Sequence, residues 1–230
     1  MGKDKGWVDF YDAVRRAGTE LAYPAETLVR LFRGSYIAGM PKDFTGMSVL
    51  DVGCGNGNNT LFLASLGLQV SAVEITEDIC AAVRSKFSAL GLASDVRVGQ
   101  NRSLPFPGNS FDFVVSWNVL HYEGEEVRVE QAIAEYARVL KPGGRLILSS
   151  TGPDHKILLN CKTLGGHRYE IGRPDDFRKG TVHFLFDSEN YLRFYFEKCF
   201  VDVATGRIRD EIFTETLDWF IVTGMKPVGD

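Results

Sequence analysis

The strongest constraint in this chain is an alternation of short apolar runs and amphipathic segments between residues 47 and 150. It reads strand (about 47–53), helix (Asn58 to Leu66, stopped by Gly67), strand ("QVSAVEI"), helix ("TEDICAAVRSKFSALG"), strand ("SDVRVG"). A turn-rich link, "LPFPGNS", leads to strand "FDFVVSW", helix "GEEVRVEQAIAEYARVL", a "KPGG" stop and strand "RLILSS". "FDFVVSW" is apolar on both faces, as a central parallel strand must be. Parallel neighbours need long crossovers, usually helical. The pattern therefore predicts an α/β fold: a doubly wound, Rossmann-like, mostly parallel sheet with helices on both faces.

The rhythm breaks after residue 150. Residues 151–187 show no clean period, and "DHKILLNCKTLGG" suits a helix or a hairpin. "SENYLRFYFEKCF" reads as a helix capped by Ser188. "VDVATGRIRD" and "TLDWFIVTGMK" alternate like two antiparallel strands, which gives the sheet an antiparallel last strand. Ahead of the core, residues 7–17 and 24–34 read as amphipathic helices, with Pro24 in a first turn and Gly34 as a stop. Four regions follow: a helical cap (1–40), a core (41–150), an insertion (151–187) and a C-terminal helix with strands completing the sheet (188–230).

Composition narrows the partners. A net charge of -4 lacks the basic footprint expected of a nucleic-acid binder. Cys54, Cys80, Cys161 and Cys199 form no CxxC pair, so neither a zinc site nor a dithiol motif is expected. "MGKDKGWVDF" lacks the apolar centre of a signal peptide, and no segment is long and apolar enough to span a bilayer. The expectation is a cytoplasmic protein, monomer or homodimer, with a small-molecule substrate, no metal, no nucleic acid and no membrane.

"VLDVGCGNGNNT" places Gly53, Gly55 and Gly57 at a strand-to-helix turn, the usual ligand crevice of such sheets. A GxGxxG dinucleotide motif would need glycine at 58, where Asn58 stands, and no GxxxxGK[ST] run exists. "VLDVGCGNG" instead resembles motif I of class I S-adenosylmethionine (SAM) methyltransferases, of the small-molecule type 11/25 domain group. Glu74 at the end of strand two, "VGQNRSLPFPGNSFDFVVSWNVLHY" and "LKPGGRLILSS" resemble the same family, over about residues 45–150. The resemblance implies SAM as cofactor and S-adenosylhomocysteine as product. It places Asp51 toward the methionine ammonium, backbone around Gly53, Cys54, Gly55, Asn56 and Gly57 along methionine and ribose, Glu74 on the ribose diol and Ile75 on the adenine. Gln100 stands where the family usually has an acid for the adenine amino group, with Asn101, Arg102 and Ser103 adjacent. Trp117 lines the donor cavity or belongs to the core, and Asn118 follows it.

For the acceptor side, "WNVL" lacks the (N/D)PP(Y/F) tetrapeptide of many nucleobase and glutamine N-methylating enzymes. His155 and His121 are the candidate general bases, with Asp154 as orienter of His155 or as a helix cap. Residues 151–187 are expected to form a substrate lid, with Arg168 and Arg173 gripping an anionic group and Tyr169 beside them. Glu170, Asp175 and Asp176 among these cations equally suit a mixed-charge surface. Tyr11 and Tyr23 are expected to close over the ligand. The expected activity is methyl transfer to oxygen, or nitrogen, of a small polar metabolite such as a sugar or natural-product intermediate. An aminopropyltransferase-like enzyme and a non-catalytic SAM sensor are the alternatives.

Overall fold

The computed structural model describes residues 3–17, 22–174 and 176–229, so Asp175 lies outside the described residues. The chain forms two compact units, the first ending at Gln100 and the second beginning at Asn101.

The first unit runs α1 (Lys3–Ala17), α2 (Glu26–Arg33), β1 (Ser48–Val52), α3 (Asn58–Ser65), β2 (Gln69–Glu74), α4 (Glu77–Ala89) and β3 (Asp95–Val98). β2 lies between β1 and β3, parallel to both. Leu50, Val52, Leu63, Val73, Val83 and Phe87 bury their side chains here, each contributing on the order of 1.5–3 kcal/mol. Thr76 caps α4, its hydroxyl accepting the Ile79 N–H, and Glu77 and Asp78 favour the positive end of the helix. Gly34 ends α2 as expected, but Pro24 stands outside the helix, because Ala25 is the cap residue.

The second unit holds β4 (Phe111–Trp117), α5 (Glu126–Val139), β5 (Leu140–Thr151), β6 (Lys162–Gly165), β7 (Arg168–Glu170), β8 (Val182–Phe184), α6 (Glu189–Phe196), β9 (Val201–Ile212) and β10 (Glu215–Met225). β4 and β5 are parallel, and β10 runs antiparallel to both β5 and β9. Among the described residues, strands of mixed, mostly parallel pairing flanked by helices make the α/β class that the sequence predicted. Among the described residues, no helix is long and apolar enough to cross a membrane.

Two expectations need correction. "KPGG" is not a stop before β5 but lies within it. The register jumps from Phe111↔Leu140 to Phe113↔Arg145, and Gly143 takes a φ of +76° to absorb the extra residues. Residues 151–187 are not irregular throughout. They include a 3-10 turn, Lys156–Leu158, and a three-stranded antiparallel sheet β6-β7-β8, so "DHKILLNCKTLGG" holds the turn and only the first strand of a hairpin that ends at Glu170. Strands of three or four residues are too short to show a period of two, so the sequence hid them.

Candidate cofactor and acceptor residues

In the first unit the glycine run does what its spacing suggests. Gly53, Gly55 and Gly57 have φ of +68°, +55° and +77°, a region L side chains rarely adopt. The N–H groups of Gly53 and Cys54 both reach the Val73 carbonyl, at 2.9 and 3.1 Å, and Gly57 caps α3. A Cβ at Gly55 would collide with the Tyr11 hydroxyl, so α1 places Tyr11 against the loop.

Two buried carboxylates flank this loop. Glu74 accepts the Gly55 N–H at 3.0 Å on one oxygen and the Ile75 N–H at 2.7 Å on the other. Each oxygen keeps a further lone pair, and burial raises the Glu74 pKa. Asp51 accepts the Thr60 hydroxyl at 2.6 Å. Burial raises its pKa to about 6; the Thr60 bond opposes this and the Glu74 charge adds to it. A loop with glycine at three alternate positions, flanked by two buried acids, fits a ligand carrying an ammonium and a diol. Cys54 is buried, with its thiol pKa pushed well up by burial. Ile75 is 36% exposed, an apolar face at the end of β2. Asn56 offers its carbonyl to Lys86 Nζ at 3.0 Å. Gln100 and Tyr23 are exposed.

Sequence reasoning passed over Thr60 and Lys86. A threonine at the start of an apolar helix is a signal for the first, since its hydroxyl needs a partner once buried. Lys86 had none.

In the second unit, Asn101 Nδ2 and Arg102 Nε share the carboxylate of Glu123, at 3.0 and 2.8 Å. Ser103 is exposed. Trp117 ends β4, half-buried and opposite Ser149. Asn118 follows with a φ of +60°. Its backbone N–H donates to Ser149 Oγ at 2.9 Å, and that hydroxyl donates to Asn118 Oδ1 at 2.5 Å. Ser149 was not foreseen.

The two candidate histidines are both buried. His121 lies in a 3-10 turn, Leu120–Glu123, with ring centroids 4.3 Å from Tyr122 and 5.1 Å from His183. Burial, then His183 and Arg178, hold its pKa well below the usual range. His155 caps the turn at Lys156–Leu158, its Nδ1 accepting the Ile157 N–H at 3.0 Å. Burial, then Arg178, lower its pKa to about 4. Its neutral ring therefore carries the proton on Nε2, which makes that atom a donor rather than the proton acceptor a general base requires.

Asp154 does not orient His155. Its carboxylate takes Arg207 at 2.7 Å and Arg209 at 2.6 Å, and its N–H meets Asp218 Oδ2 at 2.8 Å. Two guanidinium groups hold a carboxylate more strongly than a neutral imidazole does. Arg207 also binds both oxygens of the buried Asp218, so β9 and β10 fasten the segment that carries His155.

The remaining substrate candidates are dispersed. Arg168 bonds the carbonyls of Gly165 and Leu164 and lines a shallow groove of about 470 Å³ with Glu125, Glu126 and Glu130. Arg173 lies 3.9 Å from Glu215. Tyr169 is half-buried opposite His183. Arg178 grips Asp176 with two nitrogens and reaches the Tyr122 hydroxyl at 3.4 Å. No group of His, Cys, Asp and Glu among the described residues could hold a metal ion.

Fold and loop define a class I methyltransferase architecture, and comparison with known proteins agrees. A model of the methyltransferase domain matches residues 50–148. A protein of Encephalitozoon cuniculi named as a methyltransferase is 31% identical over 157 residues, which is 68% of this chain and 67% of that one. The biotin biosynthesis bifunctional protein BioHC of Cellvibrio japonicus is 35% identical over 143 residues, 62% of this chain and 25% of that one. The crystal structure of a SAM-dependent methyltransferase from Methanosarcina mazei has the same fold, with a TM-score of 0.71, 22% identity, and coverage of 90% of this chain and 100% of that one. The chain belongs to the class I SAM-dependent methyltransferase family. It spans only a quarter of the Cellvibrio relative and under half of several other curated relatives.

Proposed function

We propose that this chain catalyses transfer of a methyl group from SAM to an oxygen atom of a small polar metabolite. The observation that carries the cofactor assignment is the Glu74 carboxylate. It is buried, fastened by two backbone N–H groups, and left with one acceptor position on each oxygen, the pattern a ribose diol requires. Asp51 supplies the anionic partner for the methionine ammonium, and the backbone of Gly53, Cys54, Gly55, Asn56 and Gly57, bare of side chains at its three glycines, lets the methionine and ribose come close. Ile75 covers one adenine face, and Gln100, Asn101, Arg102 and Ser103 supply polar groups for its edge. Trp117 and Asn118 end β4 on the donor side. When bound, SAM supplies a methyl group already activated by the sulfonium. The chain's residues then have mainly to hold the two reactants in line, not to run an acid–base relay.

Oxygen is favoured over an amine because, among the described residues, the buried polar groups of the second unit are mainly hydroxyls and imidazoles, and the buried carboxylate Asp218 is already held by Arg207. Incubating the protein with methyl-labelled SAM and a metabolite extract tests the reading. Label recovered as a methyl ether or ester supports it, and label on nitrogen corrects the acceptor atom. Tight SAM binding without any transfer would support the sensor reading, and turnover only with decarboxylated SAM the aminopropyltransferase reading.

A further inference from the structure

The second unit has a group of buried polar atoms that its own residues do not satisfy. Thr151 and Trp219 are directly opposite each other in the antiparallel β5/β10 pairing, so their side chains share one face. His155 meets the Trp219 ring edge-to-face at 4.2 Å, and His121 lies 6.5 Å from it. Thr151, His155 and His121 are 0%, 5% and 1% exposed, whereas Trp219 is only half-buried. Among the described residues, Thr151 Oγ1, His155 Nε2 and His121 Nδ1 have no hydrogen-bond partner. Buried polar groups are nearly always satisfied. Three orphans around one aromatic ring mark a place where something else completes them.

The donor pattern identifies the occupant. The Ile157 N–H occupies His155 Nδ1, so Nε2 carries a hydrogen and needs an acceptor. The Thr151 hydroxyl can donate as well. The charged groups acting on His155 are Arg178, Asp218, Lys156 and Glu215. Asp218 is held by Arg207, Glu215 by Lys156, and Arg178 by Asp176. On His121, His183, Arg178 and His155 act. Among full charges, Arg178 acts most on both rings, and both acids facing His155 are already paired.

We propose that Thr151, His155, His121 and the ring of Trp219 form the acceptor pocket, and that it selects a molecule bearing an already ionised oxygen, a carboxylate or an acidic hydroxyl. This rests on the methyltransferase reading above. It also explains how methyl transfer proceeds where His155 Nε2 holds a proton. An ionised oxygen brings its own electron pair. The O–CH3 bond forms as the S–CH3 bond breaks, that bond's pair stays on sulfur, and no proton has to be removed. His155 then acts as a substrate-binding donor.

Titration with benzoate, benzamide and benzylamine in the presence of S-adenosylhomocysteine, followed by calorimetry, tests the pocket. Benzoate is expected to bind at least tenfold more tightly than benzylamine. Thr151→Val, which preserves shape, is expected to weaken benzoate severalfold, and His155→Ala about tenfold or more. Neither should change SAM affinity. Benzylamine binding as well as benzoate, no benzoate binding, or full benzoate affinity in both variants overturns the pocket. Benzoate binding that depends on S-adenosylhomocysteine, in a protein that transfers no label from SAM to any carboxylic acid or acidic hydroxyl, supports the pocket but removes the methyltransferase reading, so the two failures are distinct.

Discussion

Glu74 and Gly55 are joined by a 3.0 Å hydrogen bond across 19 residues, from the loop amide to the carboxylate at the end of β2. The bond fixes the carboxylate before any ligand arrives. Glu74→Ala removes both the proposed diol acceptor and this tie, and is expected to weaken SAM binding by about 1–3 kcal/mol. Calorimetry giving wild-type affinity would reject the ribose role.

Asp51 predicts a proton balance. Its pKa is raised to about 6 by burial, against an unfolded value near 4. A raised carboxyl pKa costs the ligand-free protein stability as pH climbs from about 4 to about 6, and the penalty persists above that. A ligand ammonium nearby favours the ionised form and lowers this pKa. SAM binding near pH 6 is therefore expected to release a fraction of a proton per site. Calorimetry in buffers of differing ionisation enthalpy measures it, and Asp51→Asn should abolish it.

His155 and His121 act in the opposite direction. With His155 lowered from 6.5 to about 4, the unfolded chain takes up its proton first. The neutral, folded form is fully favoured above about pH 6.5, and stability is lost as pH falls toward 4, by up to about 3 kcal/mol. Nitrogen-15 NMR at neutral pH should show a His155 ring protonated on Nε2 and bare on Nδ1. The reverse tautomer would restore His155 as a candidate base.

Gly55→Ala combines a left-handed φ of +55° with a collision against Tyr11. The backbone part alone is expected to cost roughly 1–2 kcal/mol. Adding Tyr11→Phe, which removes the colliding hydroxyl, should recover part of the loss but not the backbone strain. Denaturant melts of the single and double variants separate the two. If the double variant is no more stable than Gly55→Ala, then Tyr11 does not sit on the loop.

The elements legible in the sequence are those whose local signals are strong. Thr76 announces the start of α4, Gly34 the end of α2, and the unbroken apolar run Phe111–Trp117 a strand buried on both faces. Gly53, Gly55 and Gly57 marked the loop because only glycine takes those φ values readily. Strands β6 to β8 stayed hidden because they are held by pairing with one another, not by their own composition. The bulge within "KPGG" was equally invisible, since its register depends on β4.

Sequence alone determined the alternation of strands and helices, the glycine turn and the acid Glu74, because backbone preference and side-chain periodicity act over a few residues. Only tertiary structure decided which carboxylates are buried enough to hold protons, and that Asp154 serves Arg207 and Arg209. It also decided that Thr151, His155 and His121 converge on Trp219. Burial and pairing across dozens of residues set protonation and hydrogen-bond direction, and no local pattern encodes them.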